Sequence, residues 1–135
     1  MLLKVYALDM TSIDSSKQPS LSCEPESEAY QDAKNTMPSA ELLNALADLY
    51  KIMGDPTRLK LLLSLEKADF CASELADLCE MSRSAVSHQL KALKAAKLVK
   101  STRNGKSMIY SLDDDHVHDI LKVAFAHVQE NENIQ

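Results

Sequence analysis

Asp114, His116, His127 and Glu130 are spaced D-x-H-x10-H-x2-E near the end of a chain of 135 residues. Imidazole nitrogens and carboxylate oxygens are ligands for a divalent metal ion, yet one helix cannot close these four around a single ion. His116 and His127 would lie roughly 16 Å apart along a helix axis, at about 1.5 Å per residue. A Zn(II) ion takes its ligands at about 2 Å. The same interval is close to three whole turns, so both imidazoles face one way. A second copy of the helix, running antiparallel, would bring the start of one beside the end of the other. The spacing therefore predicts two equivalent sites across a symmetric homodimer.

The surrounding residues sharpen this. Val117, Ile120, Leu121, Ala124, Phe125 and Val128 recur at helical spacing and form one apolar stripe. With Val117 as reference and about 100° per residue, His116, His127 and Glu130 fall in a band roughly 60° wide beside that stripe. His118 falls on the other side and reads as solvated or structural. Asp114 can join His116 only from the non-helical cap, because residues two apart on a helix point nearly opposite ways. The acids Asp113, Asp114 and Asp115 suit the positive end of a helix. Two imidazoles and two carboxylates, with no thiolate, suit Zn(II), and also Co(II) or Ni(II). Four protein ligands would leave no open coordination position. The chain also shows no Gly-rich loop and no nucleophile–base pair, so it is not expected to be an enzyme.

A second chemistry precedes the first. The formal net charge of −5 conceals a segregation of charge. Residues 82–112 carry Arg83, Lys91, Lys94, Lys97, Lys100, Arg103 and Lys106 and no Asp or Glu. An acid-free basic block in an acidic chain is a footprint for a polyanion. Ser84, Ser87, His88 and Lys91 share one helical face opposite Val86, Leu90 and Leu93. Hydroxyls and imidazole can reach base edges or phosphates, and Lys91 and Arg83 suit phosphate. Arg103 and Lys106 flank Asn104-Gly105, a two-residue hairpin signal, and would project toward a minor groove or its phosphates.

These groups need elements to position them. Ser39 is a cap for a helix to Met53, with Leu42, Leu43, Leu46, Leu49, Tyr50 and Met53 at helical spacing. Gly54 ends it, and Asp55-Pro56 opens a helix whose core face is Leu59, Leu62, Leu63 and Leu65. A short helix over about residues 72–79 turns Leu75 and Leu78 inward. Ser82 caps the basic helix, which ends near Ala96. Val99 to Leu112 changes to period two and reads as a hairpin. The last helix follows. This order is a mostly α, winged helix-turn-helix domain over residues 38–130. Residues 1–37 show no sustained periodicity and read as a disordered acidic arm, and residues 131–135 as a tail. No apolar run approaches the roughly 20 residues that span a bilayer. MLLKVYALDM is too short and too charged for a secretory signal, so the chain is expected to be cytoplasmic.

The segment MSRSAVSHQLKALKAAKLVKSTRNGKSMIYSL resembles the recognition helix and wing of the ArsR/SmtB metal-sensing repressors, and GDPTRLKLLLSL resembles their second helix. The resemblance runs from about residue 39 to 130. It implies a homodimer that represses an operator and lets go when metal binds. It also strengthens the choice of Asp114, because the family's last-helix site has this D-x-H-x10-H-x2-E/H pattern. DFCASELADL resembles the family's thiolate-rich ELCVCDL box, but only Cys71 matches, and Ser73 stands at the second Cys. Cys71, Glu74 and Cys23 would make a partial secondary site. The competing reading is therefore a thiol-based sensor of Cd(II), Pb(II) or sulfur species through Cys71 and Cys23. Cys79 reads as a small core residue.

Overall fold

The computed structural model describes residue 23 and residues 25–132. The chain divides into two units, Met1–Leu46 and Ala47–Gln135. In the first, helix α1 (Glu28–Thr36) is followed by the start of α2 (Ala40–Met53). The second holds the rest of α2, then α3 (Pro56–Lys67), β1 (Phe70–Cys71), α4 (Ala72–Leu78), α5 (Arg83–Ala95), β2 (Val99–Asn104), β3 (Ser107–Leu112) and α6 (Asp115–Glu132). This is a winged helix-turn-helix, with α4 and α5 as the two crossing helices and β2–β3 as the wing.

Helix α1 corrects, for residues 28–36, the expectation of a disordered acidic arm over residues 1–37. Ser27 accepts the Tyr30 backbone N–H at 3.3 Å and caps the helix, and Thr36 folds its hydroxyl back onto the Asp32 carbonyl at 2.8 Å. The helix buries no residue. Local capping therefore formed an element that hydrophobic periodicity could not announce. The rest of that arm, residues 1–22 and Glu24, and residues 133–135 of the tail lie outside the described residues.

The caps read from sequence are in place. Ser39 Oγ accepts from the Leu42 amide at 3.2 Å, Asp55 Oδ2 from Arg58 at 3.0 Å, and Ser82 Oγ from Ala85 at 3.1 Å. The helix ends obey a rule that the sequence hid. Both α4 and α5 close with a residue in the left-handed region, Glu80 at φ 54° and Lys97 at φ 60°. Behind them Met81 N–H donates to the Ala76 carbonyl at 2.9 Å and Leu98 N–H to the Leu93 carbonyl at 3.0 Å. These are Schellman closures, usually built on Gly. Here the tightness of the turn puts Glu and Lys where the conformation costs each about 1 kcal/mol.

The core is aliphatic. Leu61, Leu62, Leu75, Val86, Leu90, Leu93, Leu98 and Val99 are almost wholly buried, joined by Val117 and Leu121 from the start of α6. One expectation on facing is incomplete and another fails. Leu62 and Leu65 are buried and Leu59 and Leu63 pack half-buried against the core, as expected, but Leu61 is fully buried as well, because the hairpin and α6 cover that side of α3. Leu78 is 51% exposed rather than inward, because α4 ends at this residue and the chain turns away through Cys79 and Glu80. Cys79 is buried, as its small apolar character suggests.

The sheet has a strand more than the hairpin, in the order β1-β3-β2. Phe70 pairs with Tyr110 and Cys71 with Ile109, so β1 pins the start of α4 to the wing. A two-residue strand carries too little pattern to be read from sequence. Asn104 pairs with Ser107, so the loop residues are Gly105 and Lys106, one position later than Asn104-Gly105. Gly105 supplies the positive φ, 64°, at the first loop position.

Replacing Leu90 by Ala should cost about 2–5 kcal/mol in denaturant unfolding, whereas Leu78→Ala should cost under about 1 kcal/mol. Equal losses would contradict the facing described. Glu80→Gly should raise stability by about 0.5–1 kcal/mol by relieving the left-handed residue. A lower thermal midpoint for that variant would refute the strain.

Candidate DNA-reading face and metal-ligating helix

Helix α5 buries Val86, Leu90 and Leu93, and this forces the opposite face outward. Ser84, Ser87, His88 and Lys91 all lie exposed there, as their spacing predicts. Ser82 ends the approach to the helix with its hydroxyl 3.4 Å from that of Ser84. Arg83 is also exposed, but it is not free in space. Its Nη1 donates to Ser73 Oγ at 2.6 Å, which ties the first turn of α5 to α4. Lys94 donates to Ser101 at 2.6 Å and joins α5 to the wing. Sequence reading noticed Ser73 only as the place of a missing Cys and gave Ser101 no role. Neither pair has a local signal, since the partners are brought together only by folding. In the wing, Arg103 and Lys106 are exposed at the tip, and Arg103 Nε donates to the Gly105 carbonyl at 3.4 Å.

The metal-ligating candidates all lie on α6 and its cap. Asp114 occupies the cap, as the spacing requires, where its Oδ1 accepts the Val117 amide at 3.1 Å. Its Oδ2 is left 3.6 Å from His116 Nδ1, so the structure brings these two candidates together. His127 and Glu130 sit in the last turns of the helix, exposed and apart from that pair. The Asn131 amide donates to the His127 carbonyl at 2.9 Å and also lies 3.1 Å from its Nε2. Among the described residues no group of three or more His, Cys, Asp or Glu gathers to hold an ion within one chain. All four candidates are exposed nitrogen and oxygen donors, so the set fits a Zn(II)-class ion in chemistry and access. His118 is a structural residue, with Nδ1 3.4 Å from Glu66 Oε1, and this contact ties α6 to α3.

The apolar stripe of α6 divides in two. Val117 and Leu121 are buried in the core, while Phe125 is 55% and Val128 51% exposed. Val123, on the side of the ligand band, is 69% exposed. Helix α2 likewise exposes Leu43, Leu46 and Tyr50.

The thiol candidates are placed differently. Cys71 is the residue just before α4, and its backbone N–H donates to Glu74 Oε1 at 3.0 Å. That bond, with a second from the Cys71 thiol, holds the Glu74 carboxyl below its ordinary 4.5. The stability it contributes is present above that ordinary value and is lost as pH falls through the depressed one. Cys71 is half-buried, and Cys23 is exposed in the N-terminal unit.

The model of the arsR family of bacterial regulatory proteins matches residues 55–101, from the α3 cap through α4 and α5 into the wing. A transcriptional repressor SmtB homolog from Synechocystis is 36% identical over 94 residues, covering 70% of this chain and 71% of its own. The chain belongs to the arsR family of bacterial regulatory proteins. It is a regulator and not an enzyme. A cadmium resistance transcriptional regulatory protein CadC homolog from Staphylococcus aureus is 38% identical over 87 residues, covering 63% of this chain and 71% of its own. The homodimeric winged helix-turn-helix DNA-binding domain of a possible ArsR-family regulator from Mycobacterium bovis superposes with a TM-score of 0.64 at 25% identity, over 77% of this chain and 93% of that one. No helix among the described residues is long and apolar enough to cross a membrane.

Lys91→Ala and Arg103→Ala should each weaken binding to every duplex about equally and lower the salt slope by roughly one ion. Ser87→Ala or His88→Ala should instead relax sequence preference by about 1–3 kcal/mol. Fluorescence anisotropy across a salt series separates these classes, and an unchanged slope for both cations would remove them from the interface.

Proposed function

We propose that this ArsR-family regulator binds operator DNA as a homodimer and is released when Zn(II), or its neighbours Co(II) or Ni(II), is held between the last helices. Asp114 and His116 of one copy, with His127 and Glu130 of the other, would hold the ion. When bound, it supplies a closed four-ligand cross-link with no open position for catalysis.

The observation that carries this reading is the split in α6. Its first half packs Val117 and Leu121 into the core, and its second half leaves Phe125 and Val128 uncovered beside His127 and Glu130. An uncovered apolar strip flanked by unassembled ligands is accounted for by a second copy of the same helix, which covers the strip and completes the ligand set at once. The homodimeric relative supports the same assembly. Relatives described as transcriptional repressors support the repressing sign, which helix geometry does not supply. Ser84, Ser87, His88 and Lys91 would enter the major groove, with Arg83, Arg103 and Lys106 on phosphates or in the minor groove. Asp114 links the two functions. It caps the helix with one oxygen and keeps the other for His116, so ligand engagement acts on the junction between wing and α6.

The competing thiol reading has less support. Glu74 is already bonded to the Cys71 amide, and Ser73 to Arg83. Titrating Zn(II) into the DNA-bound protein should weaken binding about 5–150-fold, matching a coupling of about 1–3 kcal/mol, and DNA should weaken Zn(II) binding by the same factor. Metal affinity should fall as pH drops, since imidazole ligands must be neutral. His127→Ala should abolish the response and Cys71→Ser should keep it. The reverse pattern would establish the thiol sensor, and no response to Zn(II), Co(II) or Ni(II) would sink the proposal.

A further inference from the structure

Arg58 stands where three helices meet. Its backbone N–H donates to Asp55 Oδ2, the α3 cap, at 3.0 Å. Its guanidinium Nε donates to Gln89 Oε1 on α5 at 3.0 Å, and its Nη1 donates to the Ile52 carbonyl in the last turn of α2 at 3.3 Å. Both side-chain bonds are part-buried. The Ile52 carbonyl is one of the four that a helix end leaves without an intrahelical partner. Gln89 sits next to His88, two residues from both Ser87 and Lys91, on the side of α5 turned from the exposed face.

A guanidinium has donors only, so the bond from Nε also fixes which end of the Gln89 amide faces it. The fork is planar and rigid, and a single group therefore holds two acceptors on two helices at a set separation. The hydrophobic attraction that buries Val86, Leu90 and Leu93 is non-directional, so it commits that face of α5 to the core without specifying a partner for any polar group. Side-chain tips lie about 5–6 Å from a helix axis, so a turn of about 10° moves them by roughly 1 Å. A hydrogen bond to a base edge is made within a window of about 0.5 Å.

We propose that Arg58, acting through Gln89, sets the rotation of α5 about its own axis and is thereby a positioning residue for base readout, although it lies away from the exposed face. The inference rests on α5 being the helix that reads DNA. Its signature is a loss of discrimination between duplexes rather than a loss of charge-driven binding.

The test uses the full chain and a duplex enriched by the wild-type protein from a random pool, with a scrambled duplex of equal length as reference. The quantity read is the ratio of the two affinities, with circular dichroism melting as the control for folding. Gln89→Leu and Arg58→Met should each lower the ratio at least tenfold, roughly the worth of one to two mismatched base pairs. Affinity for the scrambled duplex should change less than about threefold in Gln89→Leu, because phosphate contacts are intact. Arg58→Lys, which keeps the charge but not the fork, should behave like Arg58→Met. The double variant should lose no more than the worse single one, since both substitutions cut the same link. If Arg58→Met does not fold, Arg58→Lys with Gln89→Leu completes the same cycle. Additive losses would mean that Gln89 touches DNA itself, and a wild-type ratio in Arg58→Lys or Gln89→Leu would mean that the link positions nothing. Either result overturns the proposal. A wild-type protein that enriched no duplex would overturn the DNA-reading assignment beneath it, which is a separate failure.

Discussion

The burial of one side of α5 is the constraint on which the remaining structure depends. Val86, Leu90 and Leu93 have no exposed surface to speak of, and they meet Leu61, Leu62, Leu75 and Leu98 in a single aliphatic core. Each such side chain is worth about 1.5–3 kcal/mol when taken from water. Once that face is committed, Ser84, Ser87, His88 and Lys91 have only solvent to face. The same commitment fixes the neighbours. α4 must end tightly enough to deliver Ser82 as a cap, and α5 must end tightly enough to feed Leu98 and Val99 back into the core. Two left-handed residues that are not glycine are the structural consequence.

Polar links give direction to what hydrophobic burial leaves loosely oriented. Arg83 joins α5 to α4, Lys94 joins it to the wing, and Arg58 joins it to the ends of α2 and α3. The basic residues of this region are thus of two kinds. Lys91, Arg103 and Lys106 project from the fold, Arg103 bonding only its own loop at Gly105, while Arg83 and Lys94 spend donors on other elements. Charge counting treats them alike. A like contrast holds on α6, where His116 lies beside Asp114 at the cap and His118, two residues on, is engaged with Glu66.

Much of the fold was legible because its signals are local. Caps at Ser39, Asp55 and Ser82, the stop at Gly54, the period-three-and-four stripes and the change to period two after Val99 each depend on residues a few positions apart. What was illegible depends on distant ones. Strand β1 exists because Phe70 and Cys71 find Tyr110 and Ile109, some forty residues away. Leu78 turned outward because α4 stops there. Helix α1 escaped notice for the opposite reason. It is held by its own cap and buries nothing, so it leaves no hydrophobic pattern to detect. Of the site residues, Asp114 was the one whose sequence argument needed a bend in the backbone, and the bend is present.

The sequence by itself determined the winged helix-turn-helix order, the outward face of α5, the tip cations of the wing, and the fact that D-x-H-x10-H-x2-E cannot close on one ion within one helix. These follow from residue spacing and the fixed rise and turn of the backbone, which hold wherever the helix is placed. Only the tertiary structure decided that α6 is half core and half uncovered, that Arg83 is tied to Ser73, and that Arg58 reaches Gln89. Each of those depends on which surfaces the other elements occupy. That is a property of packing among distant segments, and no periodicity along the chain encodes it.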